Sequence, residues 1–150
     1  MKSEFIKTPE KRRIIEELKE QFGIEDLPYL LIQTGKEKIR AFSGSLSKED
    51  IVSLGKIANV EIVGLYIASS RDADIRLSLD GLHLLKEQIS KKILEINDEQ
   101  LQLWLRGSDL PIQAEKGTLA IKYKGDFIGC GKSNGQTIFN YVPKERRLKS

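Results

Sequence analysis

The sequence predicts an α+β fold: an N-terminal α/β part with a mixed or antiparallel sheet over residues 1–90, then a small β domain over residues 91–150. Three observations predict it. Ile14, Ile15, Leu18 and Phe22 recur at helical spacing near the start of the chain. β-Branched, alternating stretches follow, punctuated by glycine and polar turn residues. The last third holds three short strand-like runs joined by glycine turns and followed by a basic tail.

Each element has a local cause. Thr8-Pro9-Glu10 is a helix start, with Thr8 as the expected cap and proline in the first turn; Gly23 is its expected stop. Residues 29–32 and 38–42 read as strands around the Gly35-Lys36 turn. Ser47-Lys48-Glu49-Asp50 resembles a capping box, opening a short helix to Leu54. Residues 61–68 and 75–79 read as strands. Residues 80–90 read as a helix with Leu82, Leu85 and Ile89 on one face. A boundary is expected at Ser90-Lys91-Lys92, then a strand over 92–96. Asn97 or Asp98 then caps a helix carrying Leu101, Trp104 and Leu105, ended by Gly107. Strands are expected at 118–124, 127–132 and 136–142. Lys124-Gly125-Asp126 joins the first two, and Asn134-Gly135 is a strong two-residue hairpin signal.

Composition narrows the function classes. With 150 residues, 39% of them hydrophobic, the chain can bury a real core. Residues 115–150 hold eight Lys and Arg against three Asp and Glu, a net charge of +5, whereas residues 1–114 carry −2. Positive charge gathered at one end is the footprint expected for a polyanion partner. One cysteine excludes an intramolecular disulfide and a cysteine-based zinc site. The N-terminus lacks an apolar signal core and no segment approaches ~20 apolar residues, so no membrane contact and a cytoplasmic location are expected.

No catalytic constellation emerges. The run from Gly125 to Ser133 looks like a phosphate loop. It has five residues, not four, before Gly131-Lys132-Ser133, and Asn134-Gly135 turns into a strand where a helix should start. Cys130 has no acid, base or second cysteine near it in sequence and reads as a small core residue. His83, the single histidine, reads as structural, and Asp72 and Asp74 as a solvated turn lacking the rest of a calcium loop. Gly129 and Gly131 imply close approach to that strand, either by a packed element at a bulge or by RNA. Arg106-Gly107 at a helix end can present a cation and backbone groups to phosphate. Lys122 and Lys124 share strand parity and, with Lys132, are candidate phosphate contacts. Tyr141 offers a stacking face, and Lys144, Arg146 and Arg147 offer cations beyond Pro143.

These residues together resemble a family. Leu105-Arg106-Gly107, Gly117 before a strand ending at Tyr123, the Gly125 turn, Gly129-x-Gly131-Lys132 and Asn140-Tyr141-x-Pro143-Lys144-x-Arg146-Arg147 resemble the PUA-like RNA-binding domain of RsmF/Sun-type rRNA 5-methylcytosine methyltransferases. The order of elements is similar to archaeal and eukaryotic ribosome-biogenesis proteins that place an α/β domain before a PUA domain. The resemblance implies a PUA-like β barrel over 91–150. It implies RNA-binding residues Arg106, Gly107, Lys122, Lys124, Gly129, Gly131, Lys132, Asn140, Tyr141, Lys144, Arg146 and Arg147. A Rossmann-type glycine loop and the family's Pro-Cys nucleophile are missing, so the expected protein is non-catalytic, without cofactor, and binds rRNA or tRNA in rRNA maturation, ribosome biogenesis or RNA modification. The alternative is an accessory subunit that docks an RNA methyltransferase or a ribosome-assembly factor.

Overall fold

The computed structural model describes residues 3–35, 37–42, 65–71 and 74–140. The first sheet contains β1 (Ser3–Phe5), β2 (Leu30–Thr34), β3 (Lys38–Phe42), β4 (Leu65–Arg71) and β5 (Asp74–Leu77). They lie side by side in chain order, every neighbour antiparallel. Helix α1 (Thr8–Phe22) is inserted between β1 and β2. Its Ile14, Leu18 and Phe22 are buried, as their spacing requires. The helix begins one residue earlier than expected: Lys7 occupies the cap position without a side-chain bond, and proline sets the first turn. Gly23 closes it in the left-handed conformation, φ 80°.

Helix α2 (Leu79–Leu85) is capped by Ser78, whose hydroxyl accepts from the Gly81 N–H and donates to the Tyr66 carbonyl. It stops before the expected Ser90. The Gln88 side chain instead bonds the 25–26 backbone, accepting from Glu25 and Asp26 N–H and donating to the Asp26 carbonyl. Ile89 is still buried. The expected helix at 47–54 and the start of the expected 61–68 strand lie outside the described residues.

The second sheet holds β6 (Ile93–Glu95), β7 (Gly117–Tyr123), β8 (Asp126–Ser133) and β9 (Ile138–Asn140), in chain order. β6 pairs with β7 in parallel and the others are antiparallel. Among the described residues this sheet is open, with β6 and β9 at its edges, and is not closed into the expected barrel. The turn between β7 and β8 is a two-residue hairpin: Tyr123 pairs with Asp126, and Lys124 and Gly125 both have positive φ, 45° and 87°. The Asn134-Gly135 turn differs from expectation. Ser133 pairs with Ile138, leaving a four-residue loop. The Asn134 side-chain oxygen, Oδ1, accepts from the N–H groups of Gln136 and Thr137, replacing the backbone acceptor of a tighter turn.

Helix α3 (Asp98–Leu105) starts with a complete capping box: Asn97 accepts from the Gln100 N–H at 2.8 Å, and Gln100 accepts from the Asn97 N–H at 2.8 Å. It lies against one face of the second sheet. Trp104 is fully buried there with Ile96, Leu110, Leu119, Ile121 and Ile138. The opposite face, with Ala120, Phe127 and Cys130, joins the core of the first sheet and its two helices. Alternation along β7 and β8 thus feeds two cores at once.

A polar contact crosses between the sheets. Asp74 at the start of β5 accepts from the Thr118 hydroxyl and pairs with the Lys132 ammonium. Thr118 and Lys132 are direct cross-strand partners, so both reach the same carboxylate. His83 adds a bond from α2 to the Phe127 carbonyl at 3.2 Å.

Gly131 leaves the space that the Trp104 core requires. A Cβ there would lie 2.6 Å from Ile138 Cγ2, 2.9 Å from the Trp104 ring and 3.1 Å from the Phe139 carbonyl oxygen. Gly131→Ala is therefore expected to destabilise the fold by about 1–3 kcal/mol through overpacking, measured as a lower midpoint in urea unfolding.

Candidate nucleic-acid interface

The loop after α3 is built by residues distant in sequence. Arg106 is the C-terminal cap residue and is exposed; Gly107 follows with φ 86°. The Gly107 N–H bonds the Trp104 carbonyl and the Ser108 N–H bonds the Leu103 carbonyl. Asn140, from β9, closes the loop from the other side. Its Nδ2 donates to the carbonyls of Trp104 at 2.7 Å and Ser108 at 3.1 Å, and its N–H donates to Asp109. The Arg106-Gly107 segment is thus bracketed by two bonds from one amide. The Asn140 side chain faces protein carbonyls and positions this loop.

The paired glycines act in the same way. Gly129, φ 154°, sits beside the bulge at which Ile128 is the extra residue opposite Ile121 and Lys122. A Cβ at Gly129 would face the Trp104 ring at 3.5 Å, and Gly131 is buried against the same ring. Packing by α3 accounts for Gly131, which does not present its backbone to solvent, while at Gly129 it is the positive φ that favours glycine.

The expected cations do not form one face. Lys122 is half-buried, with Nζ 5.1 Å from the Phe127 ring centroid, on the side that meets the first sheet. Lys124 is not on the strand. Its turn conformation carries it toward the other side, where Nζ lies 5.4 Å from the Tyr123 ring centroid and 4.0 Å from Asp98. The parity argument fails because β7 ends at Tyr123. The Lys124 ammonium is held above its usual pKa, first by hydrogen bonding with Tyr123 and then by the Tyr123 and Asp98 charges. Lys132 pairs with Asp74, the same carboxylate that accepts from the Thr118 hydroxyl, so it serves the join between the sheets. Tyr141, Lys144, Arg146 and Arg147 lie outside the described residues. Among the described residues, Arg106 and Lys124 are the candidate cations that stand exposed, Arg106 on the loop closed by Asn140.

The residue missed by sequence reasoning is Tyr123. Its hydroxyl donates to Asp98 at 2.5 Å, linking the β7–β8 turn to the first turn of α3. The aromatic at the end of an alternating strand was the available signal. Among the described residues no group of three or more His, Cys, Asp and Glu is placed to hold a metal ion. No helix among them is long and apolar enough to cross a membrane.

With this geometry in hand, the comparisons with known proteins are specific. The family model described as the methyltransferase RsmF PUA domain matches residues 91–148. Residues 91–148 thus match a PUA-like domain of the RsmF type. A stretch of 84 residues is 31% identical to the ribosomal RNA small subunit methyltransferase F of Aliivibrio fischeri. That stretch is 55% of this chain and spans 18% of the relative's length.

Two outcomes follow from the loop and the strand beneath it. Asn140→Asp replaces a donor with a carboxylate facing two carbonyls. It is expected to cost about 1–3 kcal/mol and to speed amide hydrogen exchange in residues 106–108. Cys130 is buried and its thiol pKa is pushed up to about 12 by desolvation. Its folded pKa is above the unfolded value near 8.5. The resulting stabilisation is complete below that value and is lost as pH rises toward 12. A thiol reagent at neutral pH should label Cys130 only at the rate of opening of the fold.

Proposed function

We propose that this chain is a non-catalytic RNA-binding protein that acts in rRNA maturation or RNA modification. The match of residues 91–148 to the RsmF PUA domain supports this most directly. The exposed Arg106 on a loop fixed by Asn140 and Trp104 supplies a rigid point for phosphate. In this reading residues 91–150 are a PUA-like barrel and residues 1–90 a supporting α/β domain. The RNA is rRNA or tRNA and the compartment is the cytoplasm. RNA recognition rests on shape and backbone, with the cations beyond Pro143 adding to Arg106.

A second reading is an accessory subunit for an RNA methyltransferase or ribosome-assembly factor. The aligned segment is a small part of an enzyme named as an rRNA methyltransferase, which supports a module that works beside a catalytic unit. Co-purification of such an enzyme supports this reading, and binding of S-adenosylmethionine by this chain argues against the non-catalytic assignment.

The test is a salt titration of binding to rRNA fragments and tRNA. Arg106→Ala should lower the slope of log K against log salt by about one unit. Joint replacement of Lys144, Arg146 and Arg147 by Ala should lower it by about two to three units. Absence of binding by the native chain at low salt refutes the proposal.

A further inference from the structure

The outer edge of β6 is open to a further strand. Its ladder with β7 uses alternate residues: the Ala120 N–H bonds the Lys92 carbonyl, and the Ile96 N–H bonds the Lys122 carbonyl. Backbone groups alternate in direction along a strand, so the N–H and C=O groups of Ile93 and Glu95 point away from β7. Nothing among the described residues bonds these four groups. Two other edges are covered. The Gln21 side chain donates to the Ile75 carbonyl and accepts from the Ile75 N–H, which closes β5. Leu110 exchanges two backbone bonds with Ile138, and Asp109 accepts from the Asn140 N–H, which closes β9. A row of unpaired backbone groups is a template for another strand, and β6 keeps one.

The side chains at this edge suit a paired strand. Ile93 is 38% exposed. Leu94, on the other face, is half-buried against the Trp104 core, with Ile96 in that core at the next inward position. A lysine at an edge normally blunts it. Here Lys92 is drawn back, its ammonium 2.9 Å from Glu115 and 3.2 Å from the Lys116 carbonyl. Charge runs in one direction along the segment: Lys91 precedes the strand, Glu95 ends it and Glu99 lies beyond, all three exposed.

We propose that β6 pairs with the β6 strand of a second copy of this chain, antiparallel about a two-fold axis at Leu94. In that register Ile93 lies opposite the partner's Glu95. Each such pair exchanges both backbone bonds, so all four outward groups of each copy are used. Leu94 meets the partner's Leu94 in the closer position between them, which extends the Trp104 core of each copy across the axis. The antiparallel sense also turns Lys91 toward the partner's Glu95 and the partner's Glu99, whereas a parallel pairing sets like charges together. Lys92, with φ 57°, bends the chain and limits the pairing to the three residues of β6. So short a contact makes a weak, concentration-dependent dimer. It is isologous and closes at two copies. The inference does not rest on the RNA-binding reading.

The experiment is sedimentation velocity of the full chain over a wide range of concentration, with Glu95→Pro, Ile93→Lys and Phe139→Lys beside the native protein. Circular dichroism and melting confirm that each variant is folded. The native chain should pass from monomer to dimer as concentration rises and go no further. Glu95→Pro removes an outward N–H and leaves the bonds to β7 in place. With two bonds lost per dimer, it should raise the dimer dissociation constant about 10-fold or more. Ile93→Lys puts a charge on the edge and should raise it as well. Phe139→Lys, at the opposite end of the sheet, should leave it unchanged. A native chain that stays monomeric at every concentration overturns the proposal, as does growth beyond two copies. A folded Glu95→Pro or Ile93→Lys chain that dimerises as the native one does also overturns it, whatever the RNA titration gives.

Discussion

The seating of the Trp104 indole against the side-chain-free positions of Gly129 and Gly131 governs the second half of the molecule. The ring is fully buried, and both glycines face it. A large aromatic of this kind buries ~150–250 Å², so it decides where α3 sits on the sheet. The buried Nε1 has no hydrogen-bond partner among the described residues. An unpaired buried donor costs about 1–3 kcal/mol, a penalty outweighed by burying the rest of the ring, since truncating a core Trp to Ala typically costs about 3–5 kcal/mol. From that anchor the chain leaves the helix at Arg106 and Gly107. Asn140, two strands away, bonds the carbonyls on either side of them. Helix packing, loop shape and the exposed cation are consequences of one contact.

The β7–β8 hairpin carries a second duty. One of its faces accepts Trp104 and the other places Ala120, Phe127 and Cys130 in the core built by α1, α2 and the first sheet. A strand buried on both faces must be apolar without alternation, and Leu119, Ala120 and Ile121 are buried in succession. The Asp74 carboxylate, gripped by Thr118 and Lys132, and His83 on the Phe127 carbonyl then fix the sheets against each other with polar bonds at the rim. A carboxylate satisfied by a hydroxyl and an ammonium tolerates partial burial.

The same bonds redistribute the charge. Counting charges along the sequence gathers positive charge at the C-terminal end. Folding ties Lys92 to Glu115 at 2.9 Å, Lys132 to Asp74 and Lys124 to the neighbourhood of Tyr123 and Asp98, and it lays Lys122 on Phe127. Among the described residues, Arg106 stays exposed on its bracketed loop. That loop is fixed by the Asn140 amide, which limits the ordering entropy lost on binding.

The sequence by itself determined the α+β class, because its evidence is local. Apolar spacing from Ile14 to Phe22, the Asn97 capping box and the Lys124-Gly125 turn each act within a few residues, and each element formed within a residue of its expected place. It also carried the PUA-like resemblance, since the Leu-Arg-Gly and glycine-strand motifs are contiguous. Where a side chain competed with the backbone, as at Asn134 and Gln88, local reading misplaced the turn or the helix end. The roles of Asn140, Gly131 and Lys132 were decided only by tertiary structure. Their partners, Trp104 and Asp74, lie 27 to 58 residues away along the chain. Neither composition nor periodicity encodes which distant carbonyl, ring or carboxylate a strand residue will face once two sheets and three described helices have packed.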